Sequence, residues 1–174
     1  MVKIIGLLCL VLLVLIPVAG SAPAFTLNDY PALVRWAGCH AQVVVDPDAT
    51  PDMSYFNSQY NIVYIGTGPL PNLPYGGTVM ILLHETGHCL QFQEGKLVGY
   101  AYVIDPLTFE LDADRRAADL ACGIGLNGPQ LLRDVFEWAH DEFGYTGDPR
   151  HGTLDERIGQ GALATRCHVS QQAA

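Results

Sequence analysis

The chain has 174 residues, of which 49% are hydrophobic. This length allows one domain with a buried core and is too short for two domains of ordinary size. Residues 25–174 hold 18 acidic and only eight basic side chains, a formal charge of −10. This excess of negative charge argues against nucleic acid or anionic lipid as a partner.

The first 24 residues are predicted to form a secretory signal peptide. Lys3 is their only charged residue, an apolar run extends over Ile4–Leu15, and the stretch ends on small residues at Ala22–Ala24. An uncleaved membrane anchor is the alternative, because roughly 20 uncharged residues can span a bilayer. Residues 25–174 are therefore predicted to be one exported domain, secreted or periplasmic, with membrane tethering as the alternative.

The cysteines indicate an oxidising destination. Four remain when Cys9 leaves with the leader, and an even number in an exported domain predicts two disulfides, with buried free thiols as the alternative. Their irregular spacing argues against a cysteine zinc site, and the sequence does not select among the possible pairings. The four are Cys39, Cys89, Cys122 and Cys167.

A short helix and two strands are predicted in the N-terminal part of the domain. An apolar pattern that ends at Gly38 predicts about two helical turns. The runs Gln42–Asp46 and Tyr60–Ile65 are rich in β-branched and aromatic residues, so both are predicted to be strands. Residues 47–59 between them are predicted to be a loop.

The rest of the domain is predicted to be mainly helical. A stretch rich in Gly and Pro, residues 66–77, precedes a helix that continues to about Gln93. N-cap residues, first-turn prolines and stop glycines delimit the later helices. These are expected over residues 105–123 and 129–143, and from the capping box at residue 153 onwards. The fold class is therefore predicted to be α+β, mostly helical, with a small β-sheet.

The sequence HETGH, residues 84–88, carries the clearest chemical signal. His84 and His88 are four residues apart, which places both imidazoles on one helix face, as two ligands of one zinc ion require. Glu85 can take a proton from the zinc-bound water, the general-base role in peptide hydrolysis. Satisfied core histidines, the alternative, would need separate partners for all three polar side chains.

A catalytic zinc ion needs a third protein ligand. Glu110 is followed one turn later by Asp114, so both carboxylates can point at the first helix, although a solvated first-turn carboxylate is the alternative for Glu110. Glu94 lies six residues after His88, where the metzincin pattern HExxHxxGxxH has its third ligand. That pattern needs a glycine where this chain has Gln91, so Glu110 is the expected ligand.

Three segments in this order resemble a known family. HETGHCLQ, residues 84–91, and ELDADRRAADLACG, residues 110–123, resemble the gluzincin arrangement of HExxH followed by ExxAD, and within it the neutral zinc metallopeptidases of bacteria. HGTLDERIGQG, residues 151–161, resembles a C-terminal His-Gly-Ser/Thr block of such proteins. The resemblance covers about residues 78–161, and it implies a zincin-like fold in which the HExxH helix packs on the ExxAD helix.

The resemblance also implies a role for each matched residue. One catalytic zinc ion would be bound by His84, His88 and Glu110, with Glu85 as the base. Asp114 would hydrogen-bond a ligand histidine and fix its tautomer.

A further donor is expected to stabilise the charge that develops on the scissile carbonyl. His151 is the first candidate and is assigned a catalytic role; Tyr100, Tyr102 and Arg157 are the alternatives. Taken together, these residues predict that the chain is a zinc peptidase with a polypeptide substrate. The family resemblance implies that it is an endopeptidase. A non-catalytic binding or structural protein that retains the zinc is the rival reading, against which Glu85 argues, because a structural site needs no base.

Overall fold

The computed structural model describes residues 26–98 and 101–167. The predicted leader, residues 1–24, and the candidate Tyr100 lie outside this part of the chain. Within it there are five α-helices, one three-stranded sheet and two small hairpins, so the mostly helical α+β class is confirmed. The helices are α1 (Tyr30–Trp36), α2 (Gly77–Gln93), α3 (Pro106–Gly123), α4 (Gly128–Phe143) and α5 (Leu154–Gly161); the strands are β1 (Gln42–Asp46), β2 (Tyr55–Asn57), β3 (Ile62–Gly66), β4 (Leu97–Val98), β5 (Ala101–Tyr102), β6 (Gly147–Asp148) and β7 (Gly152–Thr153).

Side-chain caps set the ends of the predicted helices. The Asp105 carboxylate accepts a hydrogen bond from the first turn of α3, and Asn127 does the same for α4. Helix α4 stops at Gly144, whose φ of 68° is left-handed and suits glycine. Thr153 and Glu156 form the capping box expected at the start of α5. The caps explain why these boundaries could be predicted.

The sheet has the order β1-β3-β2. Strand β3 pairs with β1 in parallel and with β2 in antiparallel orientation. The prediction of a loop over residues 47–59 is therefore wrong at β2, whose three residues are too few to show an alternating pattern and are held by pairing with β3. Strand β3 also begins two residues later than predicted, because Asn61 has a left-handed φ of 52° at the end of a turn.

Helix α2 lies at the centre of the molecule, packed along α3 and against the sheet and α4. The expected packing of the HExxH helix on the ExxAD helix is present. The two helices approach closely at Gly87, where an added Cβ would lie 3.2 Å from the Cα of Ala113. Below this crossing, Leu82, Leu83 and Ala117 are fully buried in the hydrophobic core.

Two disulfides hold the ends of this helical core. Cys39 pairs with Cys89 and so fixes the start of the sheet to α2, while Cys122 pairs with Cys167 and fixes the end of α3 to the C-terminal segment. The predicted two disulfides are confirmed, and they indicate an oxidising environment.

Of the helices in the described ranges, none has the length and hydrophobicity that crossing a bilayer demands.

Candidate metal centre

Helices α2 and α3 bring three potential metal ligands together. The Nε2 atoms of His84 and His88, one turn apart on α2, are 3.1 Å from each other. Oε2 of Glu110 lies 3.4 Å from Nε2 of His84 and 3.3 Å from Nε2 of His88. Among residues 26–98 and 101–167, this is the only such group of His, Cys, Asp or Glu ligand atoms close enough to hold a metal ion.

The geometry and the donor atoms of this cluster fit a divalent transition metal. Nitrogen and oxygen ligands at about 2.0–2.1 Å in a tetrahedral site lie roughly 3.3–3.4 Å from one another, and the separations here are 3.1–3.4 Å. Imidazole suits zinc and its transition-metal neighbours, whereas calcium and magnesium prefer all-oxygen sites. The arrangement of His84, His88 and Glu110 is therefore that expected of a metal-binding triad.

Asp114 orients His84. Its Oδ1 lies 2.8 Å from Nδ1 of His84, and the Arg157 guanidinium binds both carboxylate oxygens at 2.7 and 2.9 Å. A hydrogen bond at Nδ1 leaves the lone pair of Nε2 to face the cluster. The predicted hydrogen bond between Asp114 and a ligand histidine is therefore present.

Gln91 orients His88, as Asp114 orients His84. Its fully buried side-chain carbonyl lies 2.9 Å from Nδ1 of His88, and its NH₂ group donates to the Phe109 carbonyl at 2.7 Å and to Asp112 at 3.0 Å. The Phe109 ring also stacks on the His88 ring, with centroids 4.7 Å apart. The His88 ring is thereby fixed in rotation as well as in tautomer.

The electrostatics of the cluster favour a positive charge at its centre. Burial opposes the ionised form of Glu110, but the hydrogen bonds from His84 and His88 outweigh this and hold its pKa well below the ordinary value. Burial lowers the pKa of His84, yet Asp114 and Glu110 outweigh it and raise that pKa to about 10. Glu110 is 4% exposed, so the solvated-carboxylate alternative is wrong.

Glu85 is positioned by the strand that the sequence did not predict. Its Oε2 accepts a hydrogen bond of 2.8 Å from the backbone N–H of Phe56 in β2. Glu85 also lines two cavities, one of about 320 Å³ on the His84 side and one of about 230 Å³ on the His88 side. A carboxylate beside the metal ligands therefore faces both spaces that a ligand can enter.

His151 lies at the edge of the same site, on the turn between β6 and β7. Its Nε2 is 4.0 Å from Oε1 of Glu110, and its Nδ1 is 2.7 Å from Asp148. The hydrogen bond with His151 lowers the pKa of Asp148 to about 2. Arg150, which sequence reasoning missed, has its Nε 4.0 Å from Oε1 of Glu110 and binds the hydroxyl of Tyr102.

Two of the alternatives left by the sequence have partners within the protein. Arg157 is buried, lines the larger cavity, and binds Asp114 and Tyr145, so it holds Asp114 in place. Glu94 lies at the C-terminal end of α2 and pairs with Arg116 at 2.7 Å, which excludes it as the third ligand. By contrast, Tyr102 lines the smaller cavity beside His151.

Comparisons with protein-family models, with curated proteins and with solved structures find no match for this chain. The resemblance to gluzincins therefore stays a prediction based on motifs.

Proposed function

We propose that this chain is an exported zinc-dependent peptidase in which Glu85 activates the attacking water. One observation carries the proposal: the ligand atoms of His84, His88 and Glu110 lie within 3.4 Å of one another, with Glu85 beside them and facing open cavities. A purely structural metal site is closed by protein ligands and needs neither a base nor an open side.

Zinc held by His84, His88 and Glu110 would lower the pKa of a bound water and polarise the carbonyl of the substrate. The protein supplies the remaining steps. Asp114 and Gln91 hold the two imidazoles in the tautomer that presents Nε2. Glu85 takes a proton from the attacking water and passes it to the amide nitrogen as the C–N bond breaks.

His151 supports the charge that develops on the carbonyl oxygen. Asp148 accepts from Nδ1 of His151, which leaves Nε2 directed toward Glu110 at 4.0 Å. When both ring nitrogens carry a proton, Asp148 holds the Nδ1–H and the Nε2–H can donate to that oxygen. His151 is therefore assigned to stabilise the transition state, and not to bind the metal.

Two independent features of the chain support the proposal that it is exported. The paired cysteines indicate an oxidising compartment, and the N-terminal 24 residues have the order of a secretory leader. A polypeptide substrate outside the cytoplasm is consistent with both.

The proposal is tested by measuring the metal content of the purified protein and its digestion of an unstructured protein, with and without a chelator. We expect about one zinc per chain and hydrolysis that the chelator abolishes and added zinc restores. The Glu85→Gln variant should keep the metal and lose hydrolysis. Glu137→Gln, on the exposed face of α4, is the matched control. A wild-type protein that binds zinc in full and cleaves nothing would instead support a non-catalytic role.

A further inference from the structure

Strand β1 forms one edge of the three-stranded sheet, and its outer side is open. The sheet has the order β1-β3-β2, so among the described residues β1 pairs with β3 alone. None of the five residues of β1 is buried, and Val45 is 42% exposed. At the opposite edge of the sheet, the backbone N–H of Phe56 in β2 binds Glu85 inside the molecule. The two edges of the sheet therefore differ, and only the β1 edge is available to another chain.

The hydrogen bonds to β3 decide which backbone groups of β1 face outward. The first residue of β1, Gln42, donates its N–H to the carbonyl of Asn61 at 2.9 Å. Because backbone groups alternate in direction along a strand, every second residue from Gln42 faces β3, whereas Val43 and Val45 face away. Each of these two valines therefore presents one N–H and one C=O to the outside.

Strand β1 lacks the features that keep an exposed edge from pairing. Natural edge strands usually carry a lysine, a proline or a bulge, or are very short. The sequence of β1 is QVVVD, with three β-branched valines, and its ladder with β3 is continuous over all five residues. Its single charge is that of Asp46, whose carboxylate already binds the Tyr64 hydroxyl and the backbone N–H of Asp48. The outer edge of β1 is thus a template for a further strand.

A second copy of the same strand matches this edge. A two-fold axis through Val44 sets two β1 strands antiparallel, with Val43 of each copy opposite Val45 of the other. Residues opposed in this way exchange both N–H···O=C bonds, so the two pairs make four hydrogen bonds. Every outward-facing backbone group of β1 is then paired, and Val44 faces its own counterpart at the centre.

The side chains at the ends of β1 are complementary in the same register. Gln42 comes opposite Asp46 of the second copy, where its amide can donate to the carboxylate. Two positions further out, the exposed His40 comes opposite the exposed Asp48 of the second copy. The two-fold axis makes each of these pairs twice, and no like charges meet. Residues 25–174 nevertheless carry a formal charge of −10, and the repulsion between two such chains keeps the association weak.

We infer that the outer edge of β1 is an interface at which two copies of this chain form a dimer. Their sheets join into one sheet of six strands, β2-β3-β1 of one copy followed by β1-β3-β2 of the other. Because Glu85 is bound at the β2 edge, the two metal centres lie at opposite ends of the joined sheet and stay open. The pairing also closes on itself, since no second free edge is left to extend it into a fibre. Dimer formation does not depend on whether the metal centre is catalytic.

Sedimentation velocity of the exported protein, from about 1 to 500 μM, measures the association. We expect a monomer–dimer equilibrium with a dissociation constant on the order of 10 μM. Val45→Lys places a charge opposite Val43 of the second copy, and Val45→Pro removes an outward N–H without breaking a bond to β3. Each should raise the dissociation constant by at least about 10-fold. Val98→Lys, 64% exposed in β4, adds the same charge elsewhere and should leave it unchanged.

Circular dichroism verifies that these variants are folded. A protein that stays monomeric at every concentration would overturn the inference and leave the edge of β1 to a strand from a different protein. A dimer that persists unweakened in the folded Val45→Lys variant would show that the copies associate through another surface.

Disulfide cross-linking tests the register. In the proposed pairing, residue 44 faces its own counterpart at a Cα separation of about 4.5 Å, which a disulfide can bridge. Residue 43 is offset from its counterpart by two positions along the strand, roughly 8 Å away and out of reach. Mild oxidation should therefore link most of the Val44→Cys protein into a covalent dimer on a non-reducing gel, and little of the Val43→Cys protein. Linkage of neither variant, or of Val43→Cys as readily as Val44→Cys, contradicts the two-fold pairing.

Discussion

Replacing Asp114 by Asn tests the connection between the metal centre and the buried ion pair behind it. Asp114 is 1% exposed and is the carboxylate partner of the buried Arg157, so its loss leaves a guanidinium uncompensated in the interior. Removing one partner of a buried pair costs about 3–5 kcal/mol. Asn can still accept from His84, but its NH₂ group would face the Arg157 donor, so zinc affinity should fall by about 10 to 100-fold.

The double variant Asp114→Asn with Arg157→Met separates these two effects. Met removes the stranded charge, so we expect the double variant to recover more than half of the lost free energy of unfolding. Zinc affinity should stay low, because the carboxylate that holds His84 is still absent. Glu137→Gln breaks an exposed pair with Arg133 and should change the free energy of unfolding by less than about 1 kcal/mol.

Urea unfolding, followed by circular dichroism with excess chelator, measures stability without the contribution of bound metal. Competition with a chromophoric chelator measures zinc affinity in the folded protein. An Asp114→Asn protein as stable as the wild type would refute the account of the buried pair. Recovery of zinc affinity together with stability in the double variant would show that Asp114 acts on the metal only through the fold.

Four other outcomes are expected. Glu85→Gln should bind zinc normally but lose about 10²-fold or more in hydrolysis, measured on one peptide at saturating metal. Glu110→Ala should lose both zinc and activity, whereas Glu94→Ala should lose neither; zinc lost from the Glu94 variant and kept in the Glu110 variant would reverse the ligand assignment. Gln91→Ala removes the partner of Nδ1 on the second histidine, so its zinc affinity should fall by about 10 to 100-fold in the chelator competition. Exported protein should start at or near Phe25, and an intact mass that retains the first 24 residues would favour an anchor.

The helices and the two histidines of the triad could be predicted because their signals are local. Caps such as Asp105 and stop residues such as Gly144 act within one turn of the helix they delimit. The i, i+4 spacing of His84 and His88 fixes a shared face as soon as the segment is helical. Both kinds of pattern can be recognised from the local sequence, without knowledge of the rest of the chain.

The missed features all depend on contacts between distant segments. Phe56 binds Glu85 across 29 positions, through a backbone N–H that carries no sequence signal. Arg157 faces Asp114 across 43 positions, and nothing local distinguishes it from an arginine that faces substrate. Arg150 approaches Glu110 only because the β6–β7 turn folds back over α3. Each of these three contacts forms only when the tertiary structure brings the two segments together.

Gly87 contributes to the metal centre without touching a ligand. It stands at the crossing of α2 and α3, where an added Cβ would lie 3.2 Å from both the Cα and the carbonyl oxygen of Ala113. Alanine at this position would push α3 outward by a few tenths of an ångström and carry Glu110 with it. Metal sites tolerate deviations of only about 0.2 Å in ligand distance. The glycine of HETGH therefore acts as a spacer that sets the distance between Glu110 on α3 and the two histidines on α2.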